Sequence, residues 1–555
     1  MPVGPDGRAR WQRRMGVALI LTAVIAGAVL RGYRLDLRVV HGDEANQAVK
    51  TAWMLEGKPY RYDPNEHHGP TLYYLTYPLL RILGARSLAD TEIWEYRLVP
   101  ALAGTLLIVM GGLAAWHGGG PIAAGVAAWM LALSNGTVFY SRYYIQETLL
   151  ALFVVSGAWA LLRIWRHPED RLSWLGLGLA IGLAHATKET CIYFFAAGAL
   201  AFACAWFYGR LTDRRSTAAD GTGTIGPDQY KALMVNLALA AAAAACVSVL
   251  FYTSFFSYLP GAWHSVAAYF AYIHRAGGQG SSGIHDKPWH YYLHLLGWYQ
   301  PMAGPRWSEW PVLVLALVGG VDSFVRREKR SGLVSLPTAA TRFLFLFMLL
   351  SFAAFSLTPY KTPWNILTPL ALCCVLAGIG ASRLLGGLRR LGGIPAVLAG
   401  MLVVLGALAW EGRQAWLGNF VYPADARNPY VYAHTTSAIR RLEERVYALS
   451  ALHPDGPHMP VYVVRLNGDY WPLPWYFRRL DRVGYWTGIP DSLPVPVVIA
   501  GNEAAPQIAE TLGTAYFSET HALRPGVLLR VFIQRDLWEQ FLETRHAGSS
   551  GINIP

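Results

Sequence analysis

Apolar runs recur along most of this 555-residue chain, and the longer ones reach the roughly 17–25 residues that an α-helix needs to cross hydrocarbon. A backbone inside lipid must satisfy every N–H and C=O internally, so runs of this kind are read as membrane-spanning helices. Hydrophobic residues make up 54% of the chain and charged ones only 15%, where soluble proteins carry about 25%. The expected fold class is therefore a polytopic α-helical membrane protein, with soluble sequence confined mainly to the C-terminal end.

Charge placement sets the expected topology. Arg8, Arg10, Arg13 and Arg14 precede the first run, 15–33, which puts its start in the cytoplasm. No small-residue cleavage site follows, so the run reads as a retained first span. With 34–96 taken as one external region, further spans fall near 97–116, 121–139, 145–165, 172–187, 190–208, 232–256, 309–325, 342–357, 364–382 and 394–411, about eleven in all. The loops then assigned inside hold Arg163, Arg166 and Arg171; Arg210, Arg214, Arg215 and Lys231; Arg326, Arg327, Lys329 and Arg330; and Arg383, Arg389 and Arg390. All of them obey the positive-inside rule. The aromatic stretch 71–83, interrupted by Pro78 and Arg81, is short; counted as a span, it would invert every one of those loops. The net charge of +12 sits largely in these short loops, so it is topological and no nucleic-acid partner is expected. All five cysteines lie in apolar runs and none forms a CxxC pair, which argues against a disulfide framework or a zinc site.

The stretch 212–230 reads as a flexible cytoplasmic linker. After Trp410 long apolar runs stop and prolines and charges rise. Pro460–Val464, Val495–Ala500 and Val527–Ile533 read as strands and Thr436–Leu452 as an amphipathic helix. The chain thus divides into a transmembrane domain, 1–411, and a soluble α/β domain, 412–555, placed by span parity on the outer side.

Polar residues that repay attention collect in the outer loops. The first group, His41-Gly42-Asp43-Glu44, directly follows the first span and precedes a short helix, with Tyr62 to Pro70 close behind. The others are Ser141 to Glu147, Thr187 to Thr190, His285 to Tyr292 in the long loop 257–308, and Thr358 to Asn365. Acids from early loops and cations from later ones meet at one membrane face. That set suits group transfer from a lipid phosphate. A carboxylate takes the acceptor's proton, cations stabilise the leaving phosphate, and aromatics offer sugar-stacking faces. The flexible run Gly277 to Gly283 ahead of Pro288-Trp289 is expected to gate the carboxylates.

At these residues the chain resembles the GT-C superfamily of integral-membrane glycosyltransferases, nearest the protein O-mannosyltransferase and aminoarabinose transferase branch. The shared features are the Asp43-Glu44 pair after span one, Glu95 to Pro100 opening the next span, Arg142 followed by Glu147, Pro288 to Tyr292, and Lys361 with Pro369 downstream. They cover about residues 1–410. In the tail, Asp469 to Arg478 resembles a poorly characterised branch linked by name to lipid-linked-glycan flipping.

The resemblance implies a polyprenyl-phosphate-linked sugar donor and a protein, lipid or glycan acceptor. It assigns the base role to Asp43. Glu44 joins Asp43 as a catalytic candidate, and Arg142, Glu147, Lys188, His285, Lys287 and Lys361 are candidates for the donor phosphate or substrate. The second acid of the family is usually Asp, where this chain has Glu147. Some relatives hold a divalent cation, Mg²⁺ or Mn²⁺, between such acids, which here would be Asp43 and Glu147. The competing readings are a component of lipid-linked-glycan flipping and a structural protein of envelope glycan assembly. In the simpler readings of the residues, Asp43 only caps a helix and Glu147 only pairs with Arg142.

Overall fold

The computed structural model describes residues 5–65, 68–213, 227–276, 285–325 and 336–549. The expected linker 212–230 and the expected gate at Gly277 to Gly283 fall wholly or mostly outside these residues.

Helix α1 (Pro5–Gly32) is followed by the short surface helices α2 (Gly42–Leu55) and α3 (Thr71–Ile82). Next come α4 (Ile93–Leu133), α5 (Asn135–Ser141), α6 (Glu147–Arg166), α7 (Arg171–His185), α8 (Cys191–Asp213) and α9 (Pro227–Tyr252). Helices α10 (Gly261–Ala276) and α11 (Tyr291–Gly297) lie in what the sequence presents as a long loop. The bundle closes with α12 (Trp310–Val325), α13 (Leu336–Leu357) and α14 (Leu367–Trp416). Among the described residues, seven helices are long and apolar enough to cross a membrane, and the chain is a multi-pass membrane protein. Two of the seven are bent pairs. Helix α4 breaks at Gly120 (φ 75°), just before Pro121, and α14 at Gly393 (φ 64°), two residues before Pro395. Proline removes a helical donor and glycine accepts the left-handed turn, so each break folds one long apolar stretch into two spans. At 12 residues with Pro78 inside, α3 is too short to cross.

Helix α14 packs against α4 and α12 at the centre of the bundle. Gly380 makes this possible: a Cβ there would stand 1.8 Å from the carbonyl oxygen of Leu315.

The C-terminal domain contains α15 (Ala438–Leu452), β1 (Val461–Val464), α16 (Leu473–Tyr476), β2 (Val483–Trp486), β3 (Val497–Gly501), α17 (Ala505–Leu512), β4 (Tyr516–Arg524), β5 (Val527–Gln534) and α18 (Arg535–Ser549). The sheet order is β2-β1-β3-β5-β4, with β1 parallel to β2 and β3, and β5 antiparallel to β3 and β4. Strands β2 and β4 escape the sequence pattern because their residues are mostly half-buried and lack a clean apolar alternation.

The domain is docked on the bundle, not tethered beside it. Val40 N–H donates to the Tyr476 hydroxyl at 2.8 Å, and Arg478 reaches the Glu92 carboxylate at 3.1 Å. Trp475 packs edge-on against Tyr96 of α4, centroids 5.6 Å apart.

Candidate active site

Helix α2 begins with a reciprocal cap. His41 Nδ1 accepts from Asp43 N–H at 3.0 Å, and the Glu44 carboxylate accepts from His41 N–H at 3.2 Å. A backbone N–H can only donate and the Tyr432 carbonyl, 3.1 Å from Nε2, can only accept. The two contacts therefore fix His41 as the Nε2–H tautomer.

Neighbouring acids then receive opposite environments. The Glu44 side chain is fully buried and takes both arms of Arg97, Nε to Oε1 at 2.7 Å and Nη2 to Oε2 at 2.6 Å. Tyr144 N–H donates to it at 2.9 Å. Burial alone would raise this carboxyl, but the Arg97 charge and its hydrogen bonds, with Arg38 and Tyr144, hold it below the usual glutamate value. Arg97 also donates to the carbonyls of Leu35 and Arg38, at 2.7 and 3.0 Å, so one guanidinium from α4 pins the whole 35–44 segment. Asp43, one residue earlier, has a side chain 51% exposed and faces a cavity.

That cavity measures about 870 Å³. From the bundle it is lined by His41, Asp43, Glu147, Lys188, Glu189 and His285, and from the C-terminal domain by Asp469, Trp471, Arg524 and Val527. Glu147, at the start of α6, and Lys188, in the α7–α8 turn, form a buried ion pair on one wall. Glu189 beside it accepts from the Tyr62 hydroxyl at 3.0 Å and meets His68 at 2.8 Å. Burial would raise the Glu189 carboxyl, yet the His68 contact and the Lys188 charge hold it below its usual value. His285 pairs with the Tyr432 hydroxyl at 2.8 Å; burial lowers its pKa and the charge of Asp43 works against that. Arg524 and Asp469 pair across the opposite wall.

Of the residues singled out in the sequence, Asp43, Glu147, Lys188 and His285 meet in this cavity. Glu44, Arg142, Lys287 and Lys361 are not among the residues that line it. Glu44 is an anchor, for the reasons given. Arg142 does not pair with Glu147. It donates to the carbonyls of Leu30, Arg31, Tyr33 and Arg34, at 2.7–3.1 Å, capping the otherwise unsatisfied end of α1. Lys361 is 1% exposed, and its ammonium donates to the carbonyls of Lys287 (2.9 Å) and Thr358. Burial lowers its pKa, partly offset by Asp286. The Lys287 backbone bonds Pro359 in the same clip, at 3.2 Å. Lys361→Ala is accordingly expected to lower the thermal midpoint while leaving donor dependence unchanged in a titration of initial rates.

His41, His68, Asp469 and Trp471 stood in stretches noted from the sequence but were not named there as site residues, and Arg524 was not noted at all; the His41-x-x-Glu44 spacing is a capping-box signal. Among the described residues no three His, Cys, Asp or Glu side chains cluster closely enough to hold a metal by themselves.

Residues 71–263 match the sequence profile of the family described as dolichyl-phosphate-mannose-protein mannosyltransferase. No curated protein sequence matches the chain significantly. Among solved structures, ArnT from Cupriavidus metallidurans bound to undecaprenyl phosphate superposes with a TM-score of 0.61 at 17% identity, over 94% of this chain and 98% of that one. The archaeal oligosaccharyltransferase AglB from Archaeoglobus fulgidus, in complex with an inhibitory peptide and a dolichol-phosphate, gives a TM-score of 0.54 at 14% identity, over 91% of this chain and 72% of that one. The chain therefore has the fold of the GT-C glycosyltransferases, and over residues 71–263 it resembles the dolichyl-phosphate-mannose-protein mannosyltransferases in sequence.

Proposed function

We propose that this protein is a glycosyltransferase that moves a sugar from a polyprenyl-phosphate donor to an acceptor on the Asp43 side of the membrane, taken to be extracytoplasmic. The observation that carries the reading is the contrast at the start of α2: Glu44 is locked in an ion pair, while Asp43 is left half-exposed in a cavity holding both acids and cations. An acceptor hydroxyl or amine is a poor nucleophile until a base takes its proton. In the step proposed, Asp43 takes that proton as the acceptor attacks the anomeric carbon. The bond from that carbon to the phosphate oxygen breaks, and polyprenyl phosphate leaves with both electrons. Attack opposite the leaving group inverts the anomeric centre.

The cation for the leaving phosphate is Lys188 in this reading. A lipid-borne phosphate stays at the bilayer surface, and Lys188 lies on the turn between two bundle helices, whereas Arg524 belongs to the soluble sheet. Charge-assisted contacts contribute about 1.5–3 kcal/mol. Replacing the pair together, Lys188→Met with Glu147→Gln, avoids stranding a buried charge and is expected to weaken donor use by roughly tenfold to a hundredfold. The ArnT structure bound to undecaprenyl phosphate and the AglB structure with dolichol-phosphate support the donor class. Membranes containing the protein, incubated with labelled polyprenyl-phosphate sugars, test the reading. Label transferred to an acceptor in an Asp43-dependent way supports it. Donor that is only bound, or only moved across the bilayer, would favour the lipid-linked-glycan flipping role instead.

A further inference from the structure

Two loops build the wall that the C-terminal domain lends to the cavity. One runs from β1 to α16 and carries Asp469 and Trp471; the other is the β4–β5 turn, which begins at Arg524. Ala522 of β4 pairs with Leu528, but Arg524 pairs with Val527, so the ladder slips between them. An irregularity of this kind re-aims side chains. Leu523 is fully buried, and Arg524 lines the cavity. Its guanidinium donates to Asp469 Oδ2, which ties the two loops together.

Most of that pair stays available. Nε and Nη1 of Arg524, and Oδ1 of Asp469, have no protein partner among the described residues. Both side chains are accessible, Arg524 at 19% exposure and Asp469 at 42%. Trp471, half-buried beside them, also lines the cavity. A Cβ placed on Gly42 would lie 3.6 Å from the Trp471 Cβ, so this wall stands against the residue that precedes Asp43.

The wall thus offers an indole ring, a carboxylate oxygen and planar N–H donors next to the proposed base. A sugar ring uses all three. Its C–H face packs on an aromatic ring. Its neighbouring hydroxyls, each both donor and acceptor, match a carboxylate beside a guanidinium. Other acceptors use less of the wall. An anionic group would meet Asp43 and Asp469 together. A lipid chain would take water from charged groups and return no hydrogen bond. A Ser or Thr side chain has one hydroxyl, which Asp43 takes, and nothing left for the pair. We infer that Trp471, Asp469 and Arg524 form a subsite for a sugar ring, and that the acceptor hydroxyl turned to Asp43 belongs to that sugar. The inference rests on the transferase reading and names its acceptor class. The hydroxyl proton passes to Asp43, its oxygen bonds the anomeric carbon, and polyprenyl phosphate leaves with the electrons of the broken bond.

Methyl pyranosides of the gluco, manno and galacto series, offered to the full-length protein, test this. At least one is expected to bind, read by saturation-transfer difference NMR, and to receive label from a polyprenyl-phosphate sugar. Asp469→Asn with Arg524→Gln, which removes both charges together, is expected to raise the glycoside concentration for half-maximal transfer by roughly tenfold to a hundredfold. The half-saturating donor concentration is expected to stay in place. Should the double variant fail to accumulate, Arg524→Lys, which keeps the charge and loses the planar fork, is expected to give a smaller rise. Binding of none of the glycosides, with label passing to protein instead, overturns the sugar subsite and leaves the transferase standing. Pair-dependent glycoside binding without Asp43-dependent transfer overturns the transferase reading and keeps the sugar subsite. A rise in the donor requirement instead of the glycoside requirement overturns the acceptor assignment. So does a lower thermal midpoint with both requirements unchanged, which would make the pair only a tie between loops.

Discussion

Asp43→Asn is expected to give a folded, donor-binding protein whose turnover falls by about 10²- to 10⁴-fold, the usual cost of removing a general base. The amide keeps the shape of the side chain, and the cap of α2 survives because it is made by His41 and Glu44. What is lost is the capacity to accept a proton at the mouth of the cavity. Single-turnover measurement at saturating donor separates this from a binding defect: the rate constant falls while the concentration dependence stays in place. Near-normal turnover in this variant would remove Asp43 from the chemistry and leave it as a residue of the first helical turn.

Glu44→Gln, one residue away, is expected to fail in a different way. Here the loss is in folding, because the variant strands the fully buried Arg97 without its carboxylate. Breaking a buried pair from one side typically costs about 3–5 kcal/mol, and the segment 35–44 would lose the contact that fixes it. The measurement is the yield and thermal midpoint of detergent-purified protein, with Arg97→Lys as the companion, since an ammonium cannot reproduce the two-armed contact. A pH dependence follows with a definite sign. The folded Glu44 carboxyl lies below its ordinary value. Its contribution is therefore fully present above the unfolded value, about 4.3, and is lost as pH falls through the folded one. The wild type should lose stability below about pH 4, and Glu44→Gln should show less of that acid loss.

These paired expectations show what the sequence did and did not disclose. The spans were legible because length and apolarity alone identify them. The Gly120-Pro121 and Gly393 breaks left two apolar runs each where the structure has one bent helix. The neighbourhood of Asp43, Glu147, Lys188 and His285 was legible as a set of polar residues at one depth. Their separate environments were not. Glu44 looked equivalent to Asp43 because nothing local reveals that Arg97, 53 positions away, closes on it. Arg97 itself stood in the Glu95 to Pro100 stretch, noted there for resemblance and not for charge. Lys361 and Arg142 looked like phosphate ligands because a cation near a membrane face has two uses. Both are spent on backbone carbonyls, which a sequence does not mark as needing donors. The wall supplied by Asp469, Trp471 and Arg524 depends on how a separate domain docks, and that is set by contacts such as Tyr476 with Val40.

The hairpin turn between β4 and β5 carries part of that wall. Pro525 presets its first corner, Gly526 takes the second at φ 79°, and Arg524, Pro525 and Val527 on either side face the cavity. A two-residue turn tolerates exchange of its flanking side chains far better than a membrane helix tolerates change at its packed faces. Asp43 and Lys188, the base and phosphate cation of the proposed function, are held by the bundle, while the opposite side of the same cavity hangs from a turn of the C-terminal domain. Under the proposed function, acceptor preference would be rewritten in the tail without disturbing the residues that handle the donor, as an interchangeable jaw set against a fixed anvil.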